Sequence, residues 1–255
     1  MNNWILIGIF VLLSYLVGSI NWAIIISKFQ KKDIRTMGSG NPGTLNMSRN
    51  LGLKWGIITF LLDVLKGAVP TLVAFIVFYN RGVFLKTTFA VYDIAIYLCG
   101  LGVILGHIYP VFLKFKGGKG IASTIGVFVV TESVHGGAWF VVAVMAIVAA
   151  LAFIYFTEFG AMGSFIAITP PAVSGSMRLY IDYANGNLTT MLIYMFANLA
   201  ILLICFLTWY AHKKNIKRML AGEEHPTSIK QMVIKHKLKK AEQKRLEEKN
   251  QQNIS

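Results

Sequence analysis

The sequence predicts an all-α polytopic membrane protein, a bundle of seven transmembrane helices. Of its 255 residues, 55% are hydrophobic and only 14% are charged, whereas a soluble domain carries about 25% charged residues. The apolar residues also form runs long enough to cross a bilayer core roughly 30 Å thick, which takes about 20 residues. The formal net charge of +14 therefore belongs to a membrane protein, and no nucleic-acid partner is expected.

The predicted helices follow one another in seven segments. The first lacks a basic leader and is too long for a cleaved signal peptide, so we interpret it as a retained helix. The fourth has only 11 residues, which indicates a short or broken helix; if it is re-entrant, the number of crossings falls to six. Pro170 and Pro171 predict the end of the sixth helix. The segments are 4–27, 55–79, 94–112, 121–131, 136–156, 159–173 and 188–210.

Lysine and arginine are distributed unequally between the two predicted faces. The loops 28–54 and 113–120 and the tail after residue 210 carry 21 of these residues, and the opposite face carries three. Because positively charged loops stay on the cytoplasmic side, we place the N-terminus outside the cell and the C-terminus inside.

The chain divides into a membrane-embedded domain, 1–222, and a basic cytoplasmic tail, 223–255, which we expect to be partly helical or disordered. The tail is rich in lysine and glutamate and has a partial apolar stripe. Each basic residue near an anionic membrane is worth about 1 kcal/mol. The tail is therefore either a solvated extension or a segment that adheres to lipid.

A glycine-rich polar island covers residues 33–49, between the first two predicted spans. Glycines permit positive φ and close approach of a ligand, and successive N–H groups in such a loop can bind an anion. Arg35 and Arg49 supply forked donors that suit phosphate. An ordinary Gly-Asn-Pro turn is the alternative. The other candidate residues are Gly38, Ser39, Gly40, Asn41, Gly43, Thr44 and Asn46.

A second island, residues 106–120, combines lysines with glycines. If the fourth helix begins near Lys119, its N-terminal N–H groups and its dipole favour an anion at the same place. The spacing is not that of a Walker loop. Lysines that only anchor the chain at the inner face are the alternative, but they leave the glycines unexplained. The residues are Lys114, Lys116, Gly117, Gly118, Lys119 and Gly120.

A third island, residues 212–223, follows the last span. On a continuing helix His212 and Asn215 share a face, as do Asn215 and Arg218. A juxtamembrane basic cluster with Gly222 as a helix stop is the alternative.

Charged residues also occur within or beside the predicted spans. Asp63 and Lys66 lie three residues apart on one helix and are expected to pair inside the bundle, because unpaired charge is costly there; a direct substrate role is the alternative. Asp93, Glu132 and His135 lie near predicted outer ends and are expected to face water.

The residues limit the possible chemistry. There is no GxSxG elbow and no HExxH or CxxC metal spacing, so neither metal nor cofactor is expected. His212 and His107 are the plausible proton handlers of the islands. Such parts suit a site that aligns two phosphorylated partners, one with a lipid tail. A transporter of an organic phosphate or a lipid-binding scaffold are the alternatives.

Taken together, the islands resemble the motifs of the PlsY family of bacterial membrane glycerol-3-phosphate acyltransferases, over about residues 15 to 225. Three separate motifs match in the family's order. The matching runs are Gly18-Ser-Ile with Gly38-Ser-Gly-Asn-Pro-Gly, Asn46 and Arg49; Asp63-Val-Leu-Lys-Gly; Gly106-His-Ile-Tyr-Pro-Val-Phe with Lys116-Gly-Gly-Lys-Gly; and His212, Asn215-Ile and Arg218.

The resemblance implies a seven-helix fold of the bacterial inner membrane with all three motifs on the cytoplasmic side. It implies transfer of a fatty acyl group from acyl phosphate to the sn-1 hydroxyl of glycerol 3-phosphate, which gives lysophosphatidic acid, and a soluble partner enzyme that forms acyl phosphate. Ser39, Arg49, His212 and Asn215 match functional positions. The glycines of the second motif with Lys116 and Lys119 look like a glycerol-phosphate cradle.

The sequence also departs from the family's pattern. Thr44-Leu45 stand where Ala-Thr is usual, and Glu158 and Ala161 stand near where the family tends to have a basic residue and a serine. An acid near the site would oppose an anionic substrate. A paralogue that acylates another phosphorylated acceptor is therefore an alternative.

Overall fold

The computed structural model describes residues 2–82, 90–184, 188–223, 226–227, 230–232, 234 and 238. No β-strand occurs among these residues, and ten α-helices follow one another along them. They are α1 (Asn3–Gly18), α2 (Trp22–Phe29), α3 (Thr44–Leu51), α4 (Leu53–Tyr79), α5 (Val91–Ile108), α6 (Ile121–Ser133), α7 (Gly137–Thr157), α8 (Gly160–Ala184), α9 (Leu188–Ala211) and α10 (Lys213–Leu220). Short 3₁₀ helices cover Ile34–Thr36 and Val111–Leu113.

Five stretches of the described chain are long and apolar enough to cross a membrane. They are Asn3–Phe29, Leu53–Tyr79, Val91–Leu113, Gly137–Thr157 and Met191–Ala211. Helix α6, with 13 residues, is as short as predicted, and it packs with α8 in the same bundle. The all-α membrane class is thus confirmed, whereas the count of seven crossings and the N-out orientation stay predictions.

The first predicted span is two helices rather than one. Helix α1 ends at Gly18, and the side chain of Asn21 accepts a hydrogen bond from Ile24 N at 3.0 Å, which starts α2. An asparagine that caps a new helix satisfies one of the free N–H groups there, so the break costs little. A Cβ on Gly18 would lie 2.2 Å from Val103 O of α5, so this glycine permits the close contact of α1 with α5.

Helix α8 continues through its two prolines, and the prediction that they end the sixth helix is wrong. The helix runs to Ala184 with Pro170 and Pro171 inside it. The carbonyls that lose their helical N–H donor are those of Ile166 and Ala167, four residues before the prolines. Neighbouring helices and hydroxyl side chains make proline tolerable within a membrane bundle, because they satisfy the polar groups that it leaves unbonded.

The longer α8 brings Arg178 into a buried polar cluster, so the expectation that Asp93, Glu132 and His135 face water is also wrong. Arg178 Nη2 donates to Asp93 Oδ1 at 3.1 Å, and His135 Nε2 lies 3.4 Å from the same oxygen. Ser174 Oγ donates to Glu132 Oε2 at 3.1 Å. Asp93 and Glu132 are 6% and 2% exposed. The charges pair in the bundle instead of reaching solvent.

Part of the sequence prediction falls outside the described residues. Lys86, which entered the charge count of the outer face, lies there, as do Ile229 and Val233 of the tail's apolar stripe and residues 239–255. The boundary between the domain 1–222 and the tail 223–255 stays a prediction.

Candidate active site

The buried side chain of Asn46 organises the first island. Its Oδ1 accepts from Ser39 N at 3.1 Å, and its Nδ2 donates to Ile34 O at 3.1 Å and to Met37 O at 3.0 Å. One amide therefore holds both sides of the glycine-rich loop. Asn46 is 2% exposed, so its contribution to a substrate site is the shape of the loop.

Gly38 is required by the same arrangement. Its φ is +54°, and a Cβ there would lie 2.5 Å from both Asn46 Oδ1 and Asn50 Nδ2. Asn50 Nδ2 in turn donates to Asn46 Oδ1 at 2.9 Å. Gly40 also has a positive φ, +69°, whereas Gly43 is extended and is the N-cap of α3 without a side-chain cap. The first N–H groups of α3 have no helical acceptor.

The two arginines of this island have different surroundings. Two nitrogens of the Arg35 guanidinium donate to the Asp33 carboxylate, Nε to Oδ1 at 2.9 Å and Nη2 to Oδ2 at 2.6 Å. Hydrogen bonds from Arg35 lower the pKa of the Asp33 carboxyl to about 2, so this pair persists at any ordinary pH. Arg49 is exposed, lies in the last turn of α3 and is the better candidate for a substrate phosphate.

The glycines of the second island serve close packing. Gly117 N donates to Ile108 O and Gly118 N donates to His107 O, both at 3.1 Å. A Cβ would lie 2.0 Å from His107 O at Gly117 and 2.3 Å from His107 Nε2 at Gly118. These two N–H groups thus already have acceptors at the end of α5. The donors that this island could offer to an anion are therefore its lysines and the start of α6.

Gly120 has a φ of +84° and is the N-cap of α6, which begins without a side-chain cap. Lys119 directly precedes it, and Lys116 is exposed two residues before Gly118. A helix N-terminus beside lysines attracts an anion through both its N–H groups and its dipole.

The third island joins the second through one hydrogen bond. The ammonium group of Lys119 donates to Asn215 Oδ1 on α10. His212 is buried at 3% exposure, and its Nδ1 lies 2.8 Å from Thr208 O. Because a carbonyl only accepts, Nδ1 carries the hydrogen, and Nε2 is the lone-pair nitrogen of the neutral ring. Phe165 packs edge-on against this ring.

The first island also contacts the second. Leu113, in the 3₁₀ helix of the second island, packs against the cluster that contains Ile34 and Met47 of the first. Met37 packs against the same cluster. The structure thus brings all three islands to one end of the bundle, where α5 and α9 end and α4 and α6 begin.

A line of buried polar side chains lies beneath this end. Asp63 Oδ1 and Lys66 Nζ are 3.0 Å apart, which confirms the predicted ion pair, and Lys66 also donates to Ile20 O at 2.7 Å. His107 Nδ1 lies 4.0 Å from Asp63 Oδ1 and 3.2 Å from Ser123 Oγ in the first turn of α6. The line therefore connects the ion pair to the helix start at which an anion would bind.

The family-pattern departures lie at the edge of the site. Glu158 is the left-handed C-cap of α7, with a φ of +60°. Ala161 is 3% exposed, and Leu45 Cδ1 would lie 3.2 Å from a Cβ on Gly160. The main chain of Glu158 accepts from Thr227 N at 2.9 Å. These positions connect α3 to the α7–α8 turn.

Sequence reasoning missed several side chains and segments that shape the site. Asn50 could have been found, because it lies four residues after Asn46 on the same helical face. Thr208 could have been found in the same way, because it lies four residues before His212. Ser123 gives no local signal, since its partner His107 lies 16 residues away in the chain. The contact of Pro226 and Thr227 with Arg49 joins residues that are 177 and 178 positions apart in the chain.

Fold and site together define a class: an all-α integral membrane protein whose three glycine-containing, cationic islands gather at one end of the bundle. A sequence model of glycerol-3-phosphate acyltransferase matches residues 8–222. The chain belongs to the glycerol-3-phosphate acyltransferase family.

Individual relatives cover most of the chain. It is 34% identical over 216 residues to a glycerol-3-phosphate acyltransferase of Aquifex aeolicus (84% of this chain, 96% of the relative). It is 36% identical over 220 residues to one of Mycoplasmopsis pulmonis (84% and 90%). A crystal structure of PlsY (YgiH), an integral membrane glycerol 3-phosphate acyltransferase, in the glycerol 3-phosphate form, is 31% identical with a TM-score of 0.66 (86% and 94%). The crystal structure of its lysophosphatidic acid form gives a TM-score of 0.64.

Proposed function

We propose that this protein transfers a fatty acyl group from acyl phosphate to the sn-1 hydroxyl of glycerol 3-phosphate and so makes lysophosphatidic acid. The observation that carries the proposal is the meeting of the three islands, with Lys119 hydrogen-bonded to Asn215 across two of them. The similarity to PlsY in its glycerol 3-phosphate and lysophosphatidic acid forms supports the acceptor and the product.

The residues divide into two groups by role. Ser39 and Arg49 of the first island, with His212 and Asn215 of the third, act at the reacting centre. The loop of Gly38, Gly40, Asn41, Gly43 and Asn46 shapes one substrate site, and the second island binds the glycerol phosphate through Lys116, Lys119 and the start of α6 behind Gly117, Gly118 and Gly120. All of these roles follow the family resemblance and the placement described above.

The reaction needs no enzyme-bound intermediate. The hydroxyl oxygen of glycerol 3-phosphate attacks the acyl carbon, the bond from that carbon to the phosphate oxygen breaks, and phosphate leaves. The hydroxyl proton passes to the leaving phosphate. Cationic donors stabilise the negative charge that develops, and the site contributes by alignment. We place this site on the cytoplasmic side of the bacterial inner membrane, where the charge distribution puts the islands and where a soluble acyl-phosphate-forming enzyme would supply the donor.

The test is a matrix of donors and acceptors with the purified protein. Acyl phosphate and acyl-CoA are each combined with glycerol 3-phosphate and with other phosphorylated alcohols. We expect lysophosphatidic acid from acyl phosphate and glycerol 3-phosphate alone, and a loss of roughly 100-fold or more in rate for Arg49→Ala and His212→Ala. Arg81→Ala, an exposed arginine beyond the end of α4, is the matched control. Activity with acyl-CoA but not acyl phosphate refutes the donor, and activity with another acceptor alone refutes glycerol 3-phosphate.

A further inference from the structure

Two residues beyond the family match, Pro226 and Thr227, hold one edge of the Arg49 guanidinium. Arg49 Nε donates to Thr227 O at 3.1 Å, and Nη2 donates to Pro226 O at 2.8 Å. Bonds from a charged donor are stronger than neutral ones. Two of them from adjacent nitrogens fix the plane of the guanidinium as well as its position. These two bonds therefore orient the Arg49 side chain.

The two residues are themselves anchored independently of Arg49. Thr227 is 1% exposed, and its N–H donates to Glu158 O at 2.9 Å in the turn between α7 and α8. A Cβ on Gly160, the first residue of α8, would lie 2.8 Å from Thr227 Cγ2. The segment is therefore fixed to the α7–α8 turn by a main-chain bond and by side-chain packing, and it offers its carbonyls to Arg49 from that support.

We propose that Pro226 and Thr227, called the strap here, position Arg49 for the substrate phosphate and complete the active site from outside the family-matched segment. The inference rests on the proposed function, which places Arg49 at the reacting centre. An exposed arginine has many rotamers and loses about 2 kcal/mol of side-chain entropy when it is fixed. The strap fixes the Arg49 side chain before the substrate arrives, so the free energy of substrate binding is not reduced by this entropy loss.

Gly160→Val tests the strap without changing Arg49 or the strap itself. The added side chain would displace Thr227, since ordinary contact begins near 3.4 Å. Gly137→Val is the matched control, because Gly137 is also the first residue of its helix and a Cβ there meets nothing within 4 Å. We expect kcat/KM for acyl transfer to fall about 10-fold or more in Gly160→Val and to change less than about twofold in the control.

A double-variant cycle shows whether the loss passes through Arg49. Lysine keeps the charge but cannot form the two adjacent bonds. In an Arg49→Lys background, Gly160→Val should therefore add less than about a twofold loss. An equal loss in both backgrounds assigns Gly160 another role and overturns the proposal. A rise in activity of Gly160→Val also overturns it, because the strap would then obstruct the substrate.

Hydrogen–deuterium exchange separates the strap from the proposed function. Displacement of Thr227 in Gly160→Val removes the acceptor of the Arg49 Nε–H, so exchange of that proton, followed by NMR, should be about 10-fold faster or more than in the wild type. Unchanged exchange overturns the strap even when the wild type transfers acyl groups. A wild type without any acyl transfer refutes the proposed function, and the exchange measurement still decides whether Arg49 and the strap hold each other.

Discussion

Substitution of the buried pair of Asp63 and Lys66 should destabilise the bundle strongly, and the loss of stability should differ between the two residues. Their side chains are 4% and 3% exposed and their charges 3.0 Å apart. Breaking such a pair costs about 3–5 kcal/mol, because the remaining charge stays buried. Lys66 retains Ile20 O at 2.7 Å when Asp63 is removed. Within the described part of the chain, Asp63 retains His107 Nδ1, at 4.0 Å, when Lys66 is removed.

Lys66→Met should therefore cost about 5 kcal/mol and Asp63→Asn about 3 kcal/mol. With about 2–4 °C of Tm per kcal/mol for a chain of this size, the expected losses are roughly 10–20 °C and 6–12 °C. Thermal unfolding in detergent micelles, with both variants and the double variant, provides the test.

The double variant Asp63→Asn/Lys66→Met should be more stable than Lys66→Met, since no unpaired charge remains. Strictly additive losses, or a larger loss for Asp63→Asn than for Lys66→Met, would refute this reasoning. Acyl transfer per folded molecule should stay near that of the wild type. A large loss of activity without a loss of stability would instead favour the direct substrate role of the pair.

Two further predictions concern the loop over α5 and the turn before α7. Gly118→Ala places a methyl carbon 2.3 Å from His107 Nε2, so the loop that carries Lys119 must move away by about 1 Å. In a steady-state assay kcat/KM should then fall by about 10–100-fold. The control Gly137→Ala should leave kcat/KM unchanged. Burial, and then the charge of Arg178, lower the pKa of His135 to about 3, below about 6.5 when unfolded. The contribution of His135 to the free energy of unfolding is therefore complete above pH 6.5 and falls by about 2 kcal/mol at pH 5. The Tm of His135→Gln should fall less between pH 7 and pH 5 than that of the wild type, and an equally steep fall would contradict this.

The parts of the site that the sequence predicts are those with a local cause. Asp63 and Lys66 lie on one helical face, so their pairing follows from spacing and from the cost of burying a charge. The sequence predicts the glycines of both islands as substrate-binding residues, and the structure gives individual glycines different structural reasons. Gly38 and Gly120 have positive φ, whereas Gly118 leaves room for His107, which no spacing rule reveals.

The errors share one physical origin in α8. A proline inside a helix leaves the carbonyl four residues earlier without its usual N–H donor, here those of Ile166 and Ala167. A membrane bundle tolerates this, because neighbouring helices and local adjustment of the backbone satisfy such groups. Once α8 continues, Arg178 reaches Asp93, and residues assigned to water become a buried cluster. A single misplaced helix end thus changed the environment of residues on three other elements.

The N–H groups of Gly117 and Gly118 already donate to carbonyls of α5, and this has a chemical consequence. A loop of free N–H groups would bind phosphate with neutral dipoles, but here the described contacts leave that task to Lys116, Lys119 and the start of α6. Lys119 is oriented by Asn215, as Arg49 is by the strap. Carbonyl and amide oxygens thus help to orient both cations, and cations held in fixed positions are what catalysis by alignment between two anionic substrates requires.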